Sequence, residues 1–284
     1  MTISLTDHVY ARRPEGEQLL TVHHDDDVPP RAVLLYFHGG GWQGGSRLVE
    51  NVTTRLQPLV SHGVIVVSAD YRLTGDAVWP AQLEDAGDAF EWTASAYPDL
   101  PVFVAGASAG GHLAGLVGLR AWERLTGTSH VRPAAGVITY ATVADPYQWD
   151  SERRHEPLPL PGTFAHWSYS RHGQWPPGGL GEKLLAGADT RVSPSVYNHV
   201  DVEAVPFLII HGDRDTCVSH QESVQLLDTL SRRGNRAFLL EIAGADHEDP
   251  RFDEPFVRGA LAAFIDQFAD RSSAPLAEEG PAHA

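Results

Sequence analysis

Apolar residues along the chain form two alternating patterns, short continuous runs and longer amphipathic stretches. The short runs predict strands over residues 8–12, 18–23, 32–37, 64–69, 102–105, 136–140, 207–210 and 237–242. The amphipathic stretches predict helices over residues 48–61, 80–96, 109–124, 220–233 and 255–269. Strands that alternate with helices indicate an α/β fold, in which a mostly parallel, eight-stranded sheet carries helices on both faces. Because no helix separates the first two strands, we expect them to form an antiparallel edge.

Residues 145–191 depart from this alternation, since prolines and glycines interrupt every period and tryptophans are concentrated there. A segment of this length without periodic structure usually covers a site or is disordered, and its aromatic residues favour the covering role. We therefore expect an inserted lid or cap, with Tyr147, Trp149 and Trp167 as candidate substrate contacts; a small satellite core is the alternative. The remaining chain divides into a core of residues 1–144 and 192–270 and a flexible tail of residues 271–284.

Composition narrows the class of protein. The chain has 284 residues, 42% of them hydrophobic, and no apolar run near the ~18 residues of a membrane span, so we expect a soluble globular protein without a membrane partner. The first residues lack the basic patch and apolar core of a signal peptide, which predicts a cytoplasmic location. With 21 basic and 37 acidic residues the formal net charge is −16, which disfavours nucleic acid as a partner.

Metal and cofactor binding are not expected from this sequence. Cys217 is the only cysteine, which excludes an internal disulfide and a cysteine-rich metal site. His23 and His24 are adjacent on a predicted edge strand, so their side chains point to opposite faces and make a poor metal site.

Gly106, Ser108 and Gly110 form the pattern G-x-S-x-G between a predicted strand and a predicted helix. A nucleophile on a sharp strand-to-helix turn needs very small neighbours, because larger side chains would collide with the adjoining strand and helix. The pattern by itself is weak, and its position between strand and helix is what favours a nucleophilic serine. The alternative is a serine that only caps the helix.

A serine nucleophile needs a base and an acid that orients the base. Asp213 and Asp215 follow the strand predicted over residues 207–210, and His247 follows the last strand, near Asp246. Loops at the carboxyl ends of parallel strands converge on one crevice, so these side chains can meet Ser108 there. The order along the chain is serine, aspartate, histidine, with the choice among the aspartates open.

A glycine-rich stretch, "HGGGW", follows the third predicted strand at His38 to Trp42. Glycines allow backbone N–H groups to approach a developing oxyanion closely, and the N–H of Ala109 is the expected complement. Phosphate binding is the weaker alternative, because the Lys-Ser/Thr pair and the G-x-G-x-x-G spacing are absent. Trp42 could contribute to an aromatic pocket, and the tryptophans predicted for the lid could complete it.

Seven stretches together carry a resemblance to a known family: "HGGGW" at 38–42, "SADYRL" at 68–73, "WPAQLEDA" at 79–86, "GASAGGHLA" at 106–114, "SPS" at 193–195, "PFLIIHGDRDTCV" at 206–218 and "GADHED" at 244–249. The chain resembles α/β-hydrolases of the hormone-sensitive-lipase-like esterase group. Within that group it is similar to the bacterial branch with the HGGGW loop, which also holds feruloyl-type esterases and kynurenine formamidases.

The resemblance implies an α/β-hydrolase fold and assigns roles to residues at matching positions. It implies Ser108 as nucleophile, His247 as general base and Asp215 as orienting acid, since the H-G-x-x-D spacing selects Asp215 over Asp213. The N–H groups of Gly40, Gly41 and Ala109 would form the oxyanion hole.

The expected function is that of a serine hydrolase without cofactor that cleaves small to medium carboxylic esters through an acyl-enzyme. The alternatives are an arylformamidase or small amidase with the same triad, and a biosynthetic hydrolase or lyase that acts on a natural product. Relatives often pair through the last strand, here residues 237–242, so a homodimer is compatible with the sequence.

Overall fold

One mixed sheet runs through the centre of this computed structural model, which describes residues 2–127, 131–153, 160–167, 179–189, 191–201 and 204–269. Within those residues its eight strands are β1 Ser4–Arg13, β2 Gly16–His24, β3 Ala32–Phe37, β4 Val64–Ala69, β5 Val102–Ala107, β6 Gly136–Tyr140, β7 Phe207–Gly212 and β8 Ala237–Ile242. The spatial order is β1-β2-β4-β3-β5-β6-β7-β8. Strands β1 and β2 are antiparallel to each other, β2 is antiparallel to β4, and the other neighbours are parallel. The predicted α/β fold with an antiparallel edge is therefore confirmed.

Helices cover both faces of the sheet. In the part of the chain that the structure describes, the α-helices are α1 Ala81–Ala96, α2 Ala109–Gly118, α3 Glu123–Thr126, α4 Pro146–Arg153, α5 Leu180–Leu185, α6 His220–Arg232 and α7 Pro255–Ala269. Short 3-10 helices span Val196–His199 and Pro250–Asp253. Helices α4 and α5 lie in the segment predicted as an insertion, and the tail predicted over residues 271–284 lies outside the described residues.

Two helical predictions differ from the structure. Residues 48–61 were expected to form one helix, but a π-helix spans Val52–Leu56 and a 3-10 helix spans Gln57–His62. Pro58 has no N–H to donate to a regular α-helical ladder, which explains the change of helix type there. The helix predicted to reach residue 124 ends at Gly118, because Arg120 adopts a left-handed φ of 58° that α-helices do not tolerate.

The core lies in two layers, one on each face of the sheet. Along β3, Val33, Leu35 and Phe37 belong to one layer and Ala32, Leu34 and Tyr36 to the other. All six positions are fully buried, as expected for a strand covered on both faces. Burial of one large apolar side chain stabilises the folded state by about 1.5–3 kcal/mol. Because β3 buries such side chains on both faces, it is held from both sides.

The parallel strands bring four loops to one edge of the sheet. The glycine-rich loop follows β3, the G-x-S-x-G turn follows β5, and the loops that carry Asp215 and His247 follow β7 and β8. Strand β3 lies between β4 and β5, so the connection from β3 runs to one side of that strand and the connection from β4 to β5 returns to its other side. Ligands of open α/β sheets bind at such a switch point, outside the carboxyl ends of the strands.

Candidate active site

Ser108 lies on a sharp turn between β5 and α2. Its φ is 53° and its ψ is −118°, a conformation that non-glycine residues rarely adopt. A Cβ on Gly106 would collide with the carbonyl oxygen of Gly110, and a Cβ on Gly110 would collide with the carbonyl oxygen of Phe37. Ser108 occupies the N-cap position of α2, yet its side chain makes no capping hydrogen bond. The capping role weighed from the sequence therefore does not account for this serine.

The side chain of Asp215 is completely buried, and both of its carboxylate oxygens accept hydrogen bonds. Its Oδ1 accepts from the backbone N–H groups of Cys217 and Val218, each at 2.8 Å. Its Oδ2 accepts from His247 Nδ1 at 2.7 Å and from His211 Nε2 at 3.0 Å. Burial disfavours the charged carboxylate, but the charge of His247 and the hydrogen bonds from the two histidines outweigh it and hold the pKa of Asp215 below its usual range.

His247 has a raised pKa. Burial lowers that pKa, since it disfavours the imidazolium form, but the charge and hydrogen bond of Asp215 overcome this effect, with smaller contributions from Glu248 and Asp246. The ring is almost fully buried, and the ring of Phe164 lies 4.9 Å from it, centroid to centroid. The pairing of Nδ1 with Asp215 leaves Nε2 as the nitrogen available to a nucleophile or a substrate.

The other aspartates near His247 make different contacts. Asp213 accepts a hydrogen bond from the N–H of Gly244 at 2.5 Å. Asp246 Oδ1 accepts from the N–H and the hydroxyl of Thr216, each at 2.8 Å, and its Oδ2 accepts from the N–H of Phe164 at 2.7 Å. Both carboxylates thus hold loops together, and the structure brings Asp215, not Asp213, to the ring of the candidate base.

The glycine-rich loop turns tightly after β3. Gly40 and Gly41 have φ values of 118° and 60°, and the carbonyl of Gly40 accepts hydrogen bonds from the N–H groups of Gln43 and Gly44, both at 3.1 Å. Within the described part of the chain, the N–H groups of Gly40, Gly41 and Ala109 have no hydrogen-bond acceptor. Glycine accepts these backbone angles without strain, so the loop can expose donors that a bulkier residue would cover.

Ser108 and His247 line one cavity of about 870 Å³, a volume in the range of small-molecule sites. Its wall includes Gly40 and Gly41 and, from the predicted insertion, residues whose side chains are mostly apolar: Trp149, Phe164, Trp167, Leu180 and Lys183. Trp149 is buried and donates its Nε1–H to the carbonyl of Cys217 at 2.9 Å, whereas Trp167 is 48% exposed. The structure therefore places these two tryptophans at the site.

The two other candidate contacts lie elsewhere. Trp42 is fully buried and is not part of the cavity wall; its ring packs edge-on against Trp149 at 6.1 Å and against His112 at 5.3 Å. Tyr147 is 56% exposed and is also outside the wall. Trp42 thus supports Trp149 from behind, and Tyr147 does not line the cavity.

Several residues of the cavity wall were not singled out from the sequence. Phe164 and Leu180 lie in the predicted insertion, where broken periodicity conceals which side chains point inward. Glu248, Arg55 and Asp253 form a charged part of the wall. Glu248 directly follows His247 in "GADHED", so its place in the sequence could have indicated a position at the site. Arg55 lies in a predicted helix, and nothing in the sequence around it indicates the site.

The described residues include neither a cluster of metal-ligating side chains nor a membrane-spanning helix. No group of three or more histidine, cysteine, aspartate or glutamate side chains among them is arranged to hold a metal ion. None of the helices that the structure describes is long and apolar enough to cross a membrane.

The sheet order, the helices on both faces and the position of Ser108 after β5 are those of an α/β-hydrolase. The family model BD-FAE, within the hormone-sensitive-lipase-like α/β-hydrolases, matches residues 22–230. The chain belongs to this family.

Three curated relatives come from Mycobacterium tuberculosis (strain H37Rv). Esterase LipC is 28% identical over 260 residues, covering 84% of this chain and 58% of LipC. The probable carboxylic ester hydrolase LipM is 27% identical, covering 66% of this chain and 43% of LipM. Esterase LipQ is 28% identical, covering 63% of this chain and 42% of LipQ. The chain spans about half the length of these relatives.

Solved structures confirm the fold. Propionate-bound esterase Est2 from the Planctomycetes species Thermogutta terrifontis superposes with a TM-score of 0.70 at 21% identity, covering 96% of both chains. A truncated carbohydrate esterase from gut microbiota superposes with a TM-score of 0.69 at 20% identity, covering 92% of this chain and 96% of that one.

Proposed function

We propose that this protein is a serine hydrolase that cleaves carboxylic esters of small to medium size through an acyl-enzyme. The observation that carries the proposal is that Ser108 and His247 line the same cavity while His247 Nδ1 pairs with the buried carboxylate of Asp215 at 2.7 Å. A serine, a histidine and an orienting acid in this relation are what nucleophilic attack on an ester requires. The named esterases among the relatives support the same class of reaction.

In the first half of the reaction, Ser108 Oγ attacks the ester carbonyl and His247 Nε2 takes its proton. Asp215 holds the ring in the tautomer with the proton on Nδ1 and stabilises the imidazolium that forms. The carbonyl oxygen becomes an oxyanion and accepts hydrogen bonds from the N–H groups of Gly40, Gly41 and Ala109, which are fixed before the substrate arrives. The tetrahedral intermediate collapses when His247 returns the proton to the leaving alcohol.

In the second half, water attacks the acyl-enzyme at the same carbonyl carbon. His247 takes a proton from the water, the oxyanion forms again against the same N–H groups, and the carboxylic acid leaves as Ser108 regains its proton. Every step uses proton transfer and hydrogen bonding by protein groups, so the proposed reaction needs no cofactor.

Residues 145–191 act as a cap in this proposal, on a core of residues 1–144 and 192–270. Trp149, Phe164, Trp167 and Leu180, which all belong to that segment, supply most of the apolar wall, and this supports a substrate with an apolar part. Trp149 and Trp167 are the proposed substrate contacts, with Trp42 packed behind Trp149.

Intact-protein mass spectrometry after treatment with a fluorophosphonate probe tests the proposal. The wild type should gain one adduct and hydrolyse p-nitrophenyl acetate and butyrate. Ser108→Ala should gain none and lose activity by about 10⁴-fold or more, because the nucleophile is gone. Circular dichroism checks that the variant is folded.

An unlabelled and inactive wild type would contradict the proposal. Parallel assays of formanilide-type substrates separate an esterase from an amidase or formamidase, because the same triad serves both.

A further inference from the structure

Part of the cavity wall carries charges that the proposed mechanism does not use. Glu248 lies on this wall with Ser108 and directly follows His247 in the chain. Arg55 belongs to the same wall although its residue is only 1% exposed. A buried guanidinium is costly unless it is paired, so its presence beside a proposed active site requires an explanation.

The contacts of Arg55 lead to Glu248. Its Nε donates to Asp253 Oδ1 at 2.7 Å, and its Nη2 donates to Glu248 Oε2 at 3.3 Å. The guanidinium carbon also lies 4.4 Å from the centroid of the Tyr140 ring, a cation–π distance. Asn51 Nδ2 donates to the same oxygen of Glu248 at 3.2 Å. Two donors, one of them a well-packed cation, therefore hold the carboxylate in place.

The backbone of Glu248 is held in a conformation that suits glycine better. Its φ is 52°, in the left-handed region. Non-glycine residues persist there only when the surrounding structure imposes the conformation, and such residues concentrate at active sites. A glycine would relieve the strain and remove the carboxylate, so the side chain is retained against a backbone cost.

We propose that Glu248 is a positioning residue of the active site: Arg55 and Asn51 hold its carboxylate in the cavity wall that His247 also lines, where it supplements Asp215 in stabilising the imidazolium formed when Ser108 loses its proton. The inference rests on the proposed function, since it takes His247 as the base. The proton moves from Ser108 Oγ to His247 Nε2 as before, and Glu248 neither gains nor loses one.

The charged groups around His247 are consistent with this role. The loop after β7 contributes Asp215, and the loop of His247 itself contributes Asp246 and Glu248; all three raise the pKa of His247 against the effect of burial. Arg55 pairs with Glu248 and offsets part of its charge, which limits repulsion of an oxyanion at the neighbouring glycine loop. Lys183 of α5 also lines the cavity and adds a positive charge at its wall.

Glu248→Gln removes the charge and keeps the shape. The rise of kcat/KM on the acidic side of the pH profile should shift to lower pH. The variant should therefore retain a larger fraction of its plateau activity under acidic conditions than the wild type does. The plateau kcat should fall while KM for p-nitrophenyl butyrate stays nearly unchanged, because the lost interaction belongs to the transition state. Structural damage would lower activity at every pH without this acid shift.

Glu254→Gln is the matched control. Glu254 is exposed and lies outside the cavity wall. Its replacement by glutamine changes the net charge of the protein by the same amount as Glu248→Gln does. Its pH profile should superpose on that of the wild type. Glu248→Gly is the second test variant, because glycine adopts the required φ without strain and so provides a folded protein without the carboxylate.

The histidine-ring NMR signals of the unliganded protein give a readout that does not depend on turnover. The His247 titration should move to lower pH in both Glu248 variants and stay in place in Glu254→Gln. Coincident titrations and coincident pH profiles in all four proteins would overturn the role of Glu248. A wild type that neither labels nor hydrolyses esters, while the NMR shift is present, would instead overturn the proposed function and leave the coupling supported.

Discussion

Asp215 shows how a single residue is constrained by its complete set of hydrogen bonds. Four donors, two from histidine rings and two from backbone N–H groups, occupy both of its oxygens, and no part of its side chain is exposed. An acceptor-only carboxylate suits this arrangement, because an amide would place an NH₂ group against at least one of these donors. The identity of this residue therefore determines both the tautomer and the orientation of His247.

Asp215→Asn should lower kcat toward esters by about 10³–10⁴-fold, because the ring of His247 loses the acceptor that fixes its tautomer. Initial rates with p-nitrophenyl butyrate measure the effect. Asp213→Asn is the control, since it makes the same change of charge two residues away, where the carboxylate accepts a hydrogen bond from Gly244 and does not reach His247. Equal losses in the two variants would contradict the assignment of Asp215.

The activity of the wild type should rise with pH. The base must be neutral to accept a proton. Because the pKa of His247 is raised above its ordinary value of 6.5, the midpoint of the rise of kcat/KM with pH should lie above pH 6.5. In Asp215→Asn the charge that raises the pKa of His247 is lost, so the residual activity should rise at lower pH than that of the wild type. A flat wild-type profile between about pH 5 and 9 would contradict His247 as the base.

At the scale of elements, the close approach of α2 to the sheet decides where Ser108 lies. Helix α2 begins directly after Ser108, and Gly110 in its first turn lies against the carbonyl oxygens of Phe37 and His38 at the end of β3. This contact brings the turn that carries Ser108 beside the glycine-rich loop that begins there. Glycine is required because no other residue leaves room for the two backbones.

Gly110→Ala should destabilise the protein by about 3 kcal/mol or more, since the added methyl group can be accommodated only by moving backbone. Gly259→Ala is the matched control: Gly259 is exposed in α7 and has open space around it, so alanine there should stabilise by about 0.5–1 kcal/mol. Urea denaturation followed by circular dichroism measures both. A Gly110→Ala variant as stable as the wild type would show that α2 can move away from β3.

At the scale of the whole molecule, a buried ion-pair network joins the antiparallel edge to the parallel part of the fold. Asp85 on α1 is completely buried and accepts hydrogen bonds from Arg72 Nε at 2.8 Å and from Arg13 Nε at 2.9 Å. Arg13 ends β1 and Arg72 follows β4, so one carboxylate connects three distant segments. The carboxylate of Asp85 compensates part of the desolvation cost of both arginines.

Asp85→Ala should lower the free energy of unfolding by about 3–5 kcal/mol, because it removes the fully buried carboxylate that pairs with both Arg13 and Arg72. Asp228→Ala provides the comparison: Asp228 pairs with Arg232 on the exposed face of α6, and its loss should change stability by about 0.5 kcal/mol or less. Chemical denaturation of the two variants beside the wild type checks both values. A loss of similar size in both would contradict the structural role of Asp85.

Local pattern was sufficient for much of the fold. The bounds of β3, β4, β6 and β8 match the predictions residue for residue, because each is a continuous apolar run bounded by residues that do not continue it. The family motifs likewise pointed to Ser108, Asp215 and His247, since such signatures are short and contiguous. The roles of these residues stay predictions. The structure adds the distance of 2.7 Å between His247 Nδ1 and Asp215 Oδ2.

The sequence alone determined the class of fold, the order of the candidate residues along the chain and the loops that carry them, since periodicity and contiguous motifs are local properties. The tertiary structure decided which side chains face the cavity: it buried Trp42 behind Trp149, left Tyr147 exposed, and brought Phe164 to the ring of His247. It also decided that Arg55 would hold Glu248, nearly two hundred residues away in the chain. The physical reason is that burial and ion pairing depend on contacts between distant segments, which no local pattern specifies.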